Sequence, residues 1–151
     1  MKVTVQIVRA VIPPQQGTAL SAGIDFFVPS DVAPHVLRPG QSSVISSGCI
    51  VKLPEGTALV AFNKSSMAVL GLQVGACVVD EDYQGEVHLN VRNISHEPIQ
   101  ILPDMKLVQF LVLPVVNPDI ELTEDPIYAV ESERGTGAFG STGTQGNETP
   151  A

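Results

Sequence analysis

Apolar and polar positions alternate along several short stretches of the chain, and their period predicts the elements. Between Glu86 and Arg92, Val87, Leu89 and Val91 fall on one side, and Glu86, His88, Asn90 and Arg92 on the other. A period of two marks a half-buried strand. The preceding arm, Val74 to Val79, is apolar nearly throughout, as in a strand covered on both faces. The polar elbow Asp80-Glu81-Asp82-Tyr83-Gln84-Gly85 joins the two arms. Leu72 to Arg92 therefore reads as a β-hairpin with carboxylates and a tyrosine at its bend. Backbone donors and acceptors left unpaired at such a bend suit the edge of a small planar ligand.

The same reading predicts a first strand from Lys2 to Arg9, ended by the Pro13-Pro14 turn. Two more strands, Ser43 to Leu53 and Thr57 to Phe62, flank the Pro54-Glu55-Gly56 turn. Pro98 to Leu102 is a further short strand, and Asp104 to Phe110 leads into a buried one, Leu111 to Val116. Asp31 to Gly40 is Pro-rich and reads as a loop, with His35 on its surface. Asn63 to Gly71 breaks the alternation, and Ser65 or Ser66 is expected to cap a short helix near 65–70 that stops at Gly71. The sheet pattern ends near Pro118, and the chain is acidic and polar from Asp119.

Composition narrows this to an all-β domain of short strands. Twelve prolines and thirteen glycines scattered over 151 residues make turns frequent and long helices unfavourable. The formal net charge of −8 argues against a surface that wraps nucleic acid. A small phosphate-bearing ligand stays possible, since a few placed cations suffice, and there are only eight Lys and Arg to draw on. Cys49 and Cys77 lie in apolar, strand-like surroundings and read as buried free thiols. No charged-then-apolar leader begins the chain and no apolar run approaches a membrane span, so a cytoplasmic location is expected.

Several segments carry candidate chemistry. In Ala22-Gly23-Ile24-Asp25 a carboxylate follows a glycine; the plain reading is a strand-end or turn aspartate. Lys64, Ser65 and Ser66 place a cation and two hydroxyls at a helix start, where free N–H groups favour anions. Gln109 is polar within an apolar run, so it either satisfies backbone groups or faces a ligand. Glu133 to Gly143 sets Arg134, Phe139, Ser141 and Thr142 among glycines. Such a segment cannot pack a core and reads as a flexible tail. It is nevertheless suited to wrapping phosphate oxygens and capping a flat base.

Taken in order, AGIDFF, NKSSMAVLG, GACVVDEDYQGEV, DMKLVQF and RGTGAFGSTG resemble the five motifs of the trimeric deoxyuridine triphosphatase (dUTPase) family, from Ala22 to Gly143. The third and fifth are the most specific. The resemblance implies a jelly-roll-like barrel over residues 1–130 and an active-site tail over 131–151. It also implies a homotrimer whose three sites are shared between subunits, and hydrolysis of dUTP to dUMP and pyrophosphate with Mg2+ on the triphosphate. Nucleic-acid and membrane partners are not expected.

By that resemblance Asp80 orients the attacking water, and Tyr83 packs on the deoxyribose. Backbone groups of Cys77, Val78, Val79 and His88 read uracil, with Phe139 stacked over it. Lys64, Ser65, Ser66, Gln109, Arg134, Gly140, Ser141 and Thr142 contact phosphates. Asp25 holds magnesium through its water shell, as suits a hard ion that gives up water reluctantly. Glu81 and Asp82 are expected to face solvent.

This chain departs from the family's usual residues at Lys64 and Lys106 (commonly arginine), Cys77 (glycine), Val74 (often asparagine) and Ala138 (often glycine). A lysine offers a point charge in place of a bidentate fork. Two other readings stand beside the hydrolase. A dCTP deaminase would need a proton-shuttling glutamate, and Glu86 is the one near the right place, although the alternation turns it outward. A nucleotide-gated regulatory binding protein could use the acidic stretch Asp119 to Glu133 for contacts.

Overall fold

The computed structural model describes residues 2–76 and 78–138. Eleven strands and one helix follow in chain order among them: β1 (Thr4–Ile7), β2 (Gln15–Gln16), β3 (Ile24–Phe27), β4 (His35–Leu37), β5 (Ser42–Lys52) and β6 (Thr57–Asn63). After these come α1 (Ser65–Leu70), β7 (Leu72–Val74), β8 (Val78–Val79), β9 (Glu86–Asn93), β10 (Ile99–Ile101) and β11 (Lys106–Pro114). The chain divides into two compact units, Met1–Asn117 and Pro118–Ala151, and every element belongs to the first. Among the described residues no helix is long and apolar enough to cross a membrane.

The strands form a four-stranded sheet in the order β1-β5-β9-β7, a five-stranded sheet β2-β3-β11-β6-β8 and a two-stranded ribbon β10-β4. All pairings are antiparallel. This is the all-β, jelly-roll-like architecture that the sequence implied. The alternation in β9 carries directly into packing: Val87, Leu89, Val91 and Asn93 are buried, while His88 and Arg92 are exposed. Inward residues of both sheets meet in one core that includes Phe26, Leu59, Leu89, Val108 and Phe110. Phe26 and Phe110 pack tilted, with ring centroids 4.6 Å apart. The buried Asn93 is fully engaged. Its Nδ2 donates to the carbonyls of Leu37 and Glu97, and its Oδ1 accepts from Ser95 N and Oγ.

Several expectations need correction. The Pro-rich loop at 31–40 contains β4, because Val36 and its neighbours pair with β10; His35 there is half-buried, its ring nitrogens near Ala33 O and Ser43 Oγ. Asp25 is an interior residue of β3, which packs between β2 and β11. The helix lies where predicted, but Lys64 is its N-cap residue, without a side-chain cap bond; Ser65 and Ser66 are its first two residues. Gly71 closes it in the left-handed conformation (φ 92°), which a residue without Cβ adopts freely.

The hairpin itself is the main revision. Its base is closed: Val74 pairs with Val91, and Gly75 N donates to Asn90 O. Beyond Gly75 the arms part company. β8 pairs with β6 in the five-stranded sheet, while β9 stays with β5 in the other. Val78 is 64% exposed, so this arm is not covered on both faces. The hairpin is thus splayed across two sheets, with its elbow spanning the gap.

Candidate active site

The splay opens a cavity of about 230 Å³ between the two arms, lined by Ala76, Val78, Val79, Asp80, Tyr83, Val87, His88 and Phe110. Five of these were expected from the sequence: Val78, Val79, Asp80, Tyr83 and His88. Phe110 was not, because nothing in its local pattern shows that β11 forms the cavity floor. Cys77 lies outside the described residues. Two glycines keep the cavity's shape. A Cβ at Gly75 would come 2.5 Å from Asn90 Oδ1, and one at Gly85 would strike the Tyr83 ring and hydroxyl.

The elbow is pinned at several points. Tyr83 N donates to Asp80 O at 3.2 Å, and the Tyr83 hydroxyl donates to Glu86 O at 3.1 Å. Glu81, expected to face solvent, is exposed but also accepts from Gly56 N at 2.7 Å, tying the elbow to the β5–β6 turn. Glu86 is half-buried, and its carboxylate accepts from Gly48 N. It is therefore not a plain outward-facing strand residue. Burial pushes the nearby Cys49 thiol above its usual range; the Ser47 hydrogen bond opposes this and the Glu86 charge adds to it.

A second cluster lies on β3, β11 and the junction of β6 with α1. Asp25, 6% exposed, receives Lys64 Nζ at 3.2 and 3.3 Å and Lys106 Nζ at 3.3 Å. Two cations against one anion leave the cluster net positive. Gln109 sits directly across from Asp25 and donates from Nε2 to Asn63 O at 2.8 Å; Asn63 Oδ1 in turn accepts from Val74 N, where the splayed arms begin. Gly23 leaves room for the Gln109 amide, which a Cβ there would approach to 2.5 Å. The structure thus joins Asp25, Lys64 and Gln109 and adds Lys106 and Asn63 to them. Ser65 and Ser66 are exposed on the first turn of α1, next to Lys64.

Lys106 reaches this cluster through an irregularity. On a regular strand, residues 106 and 109 would point to opposite faces. A register shift between Lys106 and Val108 absorbs the odd residue. Leu107 and Val108 both enter the core, at 1% and 0% exposed, and Lys106 returns to the side of Asp25, lying over the Phe27 ring at 5.6 Å. The single-sequence alternation shows no trace of this.

Arg134 belongs to the second unit. Its Nε donates to Gly137 O at 3.1 Å, within a turn that Gly137 N also closes onto Arg134 O. Phe139, Gly140, Ser141 and Thr142 lie outside the described residues.

A sequence model of the dUTPase family matches residues 9–143. The chain belongs to the dUTPase family. It is 36% identical over 137 residues to the deoxyuridine 5'-triphosphate nucleotidohydrolase of Azoarcus sp. (strain BH72), covering 87% of this chain and 88% of that one. To the enzyme of the same name from Ralstonia pickettii (strain 12J) it is 35% identical over 152 residues, 95% of this chain and 99% of the other. Among solved structures, a mutant dUTPase of Staphylococcus bacteriophage 80alpha with dUpNHpp superposes with a TM-score of 0.81 at 20% identity, over 95% and 99% of the two chains. A mutant dUTPase from phage phi11 of S. aureus, described as coordinating a structural Mg(II) ion, gives 0.74 at 19% identity, over 85% and 100%. These two likenesses speak to the fold.

As a dUTPase-family chain, the protein is a dUTP diphosphatase. Whether the residues suit the family's magnesium depends on the donors. Among the described residues no three His, Cys, Asp or Glu side chains gather to hold a metal. Asp25 is a lone carboxylate with an ammonium near each oxygen. This does not fit a resident, directly ligated ion. It does fit an ion that arrives on a triphosphate and keeps its water shell, for which one acceptor carboxylate and a positive surround are enough.

Proposed function

We propose that the protein hydrolyses dUTP by in-line attack of water on the α-phosphorus, assisted by Mg2+, so lowering dUTP and supplying dUMP for thymidylate synthesis. The observation that carries this is the splayed elbow: a nucleobase-sized cavity with Asp80 and Tyr83 at its bend, in a chain of this family. The backbone of Val78, Val79 and His88 reads the uracil edge, where cytosine would swap a donor for an acceptor. A site that leaves a buried polar group unpaired with the wrong base discriminates by ~10⁴-fold or more. Tyr83 packs where a 2′-hydroxyl would fall. Asp80 orients the water, and positioning contributes as much as proton removal.

The cationic cluster takes the phosphates, with Lys64 and Gln109 as donors and Ser65 and Ser66 beside them. Asp25 would hold a magnesium ion through its water shell, and the ion would supply neutralisation of the triphosphate charge. The tail, residues 131–151, brings Arg134, Gly140, Ser141 and Thr142 to the phosphates and Phe139 over the base. Stabilising charge as it moves onto pyrophosphate is the largest contribution expected of these groups. The expected compartment is the cytoplasm.

Strand geometry supports a site shared between copies. Phe110 lines the elbow cavity from the core side of β11, whereas its neighbour Gln109 and the partners Asp25 and Lys106 lie on the other face. Within one chain the sheet stands between base pocket and phosphate cluster. A homotrimer in which one copy supplies the pocket and another the cations resolves this.

The deciding assay is pyrophosphate release from dUTP with magnesium, beside dCTP, dTTP and UTP. No release from dUTP, or ammonia from dCTP, would sink the reading. Mixing two inactive variants, Asp80→Asn and Lys64→Ala, then tests sharing: unfolding and reassembly together should restore activity, and none returns if each chain holds its own complete site.

A further inference from the structure

Tyr83 is held by a chain of contacts that begins outside the elbow. In β5 the register against β9 shifts between Ser46 and Ile50, and Gly48 sits in that irregularity with φ 77°. Its N–H points to the Glu86 carboxylate. Glu86 is the first residue of β9 and pairs with Ile50 at the far end of the shift. Its own backbone carbonyl is the acceptor for the Tyr83 hydroxyl, at 3.1 Å. Tyr83 N then reaches Asp80 O at 3.2 Å, and its ring lies against Gly85. The side chain of Glu86 thus fixes one end of β9 to β5, and its main chain fixes the tyrosine.

We infer that Glu86 is a positioning residue for sugar selectivity: by clamping β9 to the β5 bulge, it holds the carbonyl that sets the Tyr83 ring. The inference rests on the reading that Tyr83 meets the deoxyribose. A carboxylate suits the clamp because it only accepts, and an ionised acceptor strengthens the bond from an N–H. A glutamine keeps an acceptor of the same reach, while an alanine leaves the Gly48 N–H without its side-chain partner. Glu86 touches no reacting atom. Its effect passes through Tyr83, so it should alter the choice between dUTP and UTP more than the rate on dUTP.

The experiment compares Glu86→Ala, Glu86→Gln, Tyr83→Phe and Tyr83→Ala in the full-length protein, measuring kcat/KM for dUTP and UTP and the thermal midpoint. Glu86→Ala should lower the dUTP-over-UTP preference about tenfold, the loss expected of one charge-assisted hydrogen bond. Glu86→Gln should retain most of it. Tyr83→Phe should resemble Glu86→Ala, and the two combined should lose no more than either alone, since both release the same ring. An unchanged preference in Glu86→Ala alongside a lost preference in Tyr83→Ala overturns the inference and leaves the sugar reading standing. An unchanged preference in Tyr83→Ala removes the sugar reading and the inference with it. Fully additive losses in the double variant also overturn the clamp.

Discussion

The two cationic centres proposed to bind phosphate are built in opposite ways. Lys64 and Lys106 converge on one buried carboxylate, held by three strands whose pairing is set by the core. Arg134 is held by its own turn, through Gly137 O. In the first centre, folding of the core meets the entropy of placing the charges; in the second, one local turn places the guanidinium. A buried aspartate is what makes the first possible. Two ammoniums side by side repel, and the carboxylate between them keeps both at hand while leaving the cluster net positive.

Removing that carboxylate should have the largest effect. Asp25→Ala leaves Lys64, at the start of α1, and Lys106, on β11, without the carboxylate between them, and should cost roughly 2–3 kcal/mol of stability, less than a fully buried pair because both ammoniums reach water. Hydrolysis should fall with it by about 100-fold. Denaturant unfolding and steady-state kinetics on one preparation measure both. Arg134→Ala should reduce kcat/KM by a similar factor yet leave unfolding unchanged within about 0.5 kcal/mol. If Arg134→Ala unfolds as early as Asp25→Ala, the contrast between the two centres is wrong.

Lys106→Ala sharpens the contrast from within the first centre. It should raise KM about tenfold and cost about 1 kcal/mol or less, since Lys64 still neutralises Asp25. A kinetic effect as large as that of Asp25→Ala would mean that Lys64 cannot act alone. The smallest effect is a pH dependence in the unit that carries the core. Burial raises the Cys49 thiol above its ordinary value of 9.0, so the folded chain keeps a proton that the unfolded chain releases. Stability from this source is complete below that value and declines as pH rises through it. Thermal melts on either side should show a decline that Cys49→Ala flattens.

The strands of the body were legible because their residues alternate, and the elbow because its polar run interrupts two apolar ones. β9 needed nothing beyond its own sequence. Other features depend on residues distant in the chain. IDFF does not alternate, so β3 and the burial of Asp25 come from β2 and β11 on either side. Whether β8 closes on β9 depends on the competing edge of β6, which no local pattern encodes. The serines after Lys64 looked like caps by type, but the chain turns one residue earlier, where Lys64 is drawn toward Asp25. Glu86 and Glu81 read as solvated charges because their partners, Gly48 and Gly56, are backbone N–H groups that a sequence does not advertise.

β11 carries two messages in counterphase: odd steps address one sheet face and even steps the other. The irregularity at Leu107 works as a phase shifter between Lys106 and the rest of the strand. A chain that lost Leu107 would keep Lys106 and Gln109 in step, with one core side chain missing. A residue gained between Val108 and Gln109 would instead exchange an amide for a ring, turning Gln109 inward and Phe110 out. Length variation should therefore be tolerated at the start of this strand and ruinous only a few residues on.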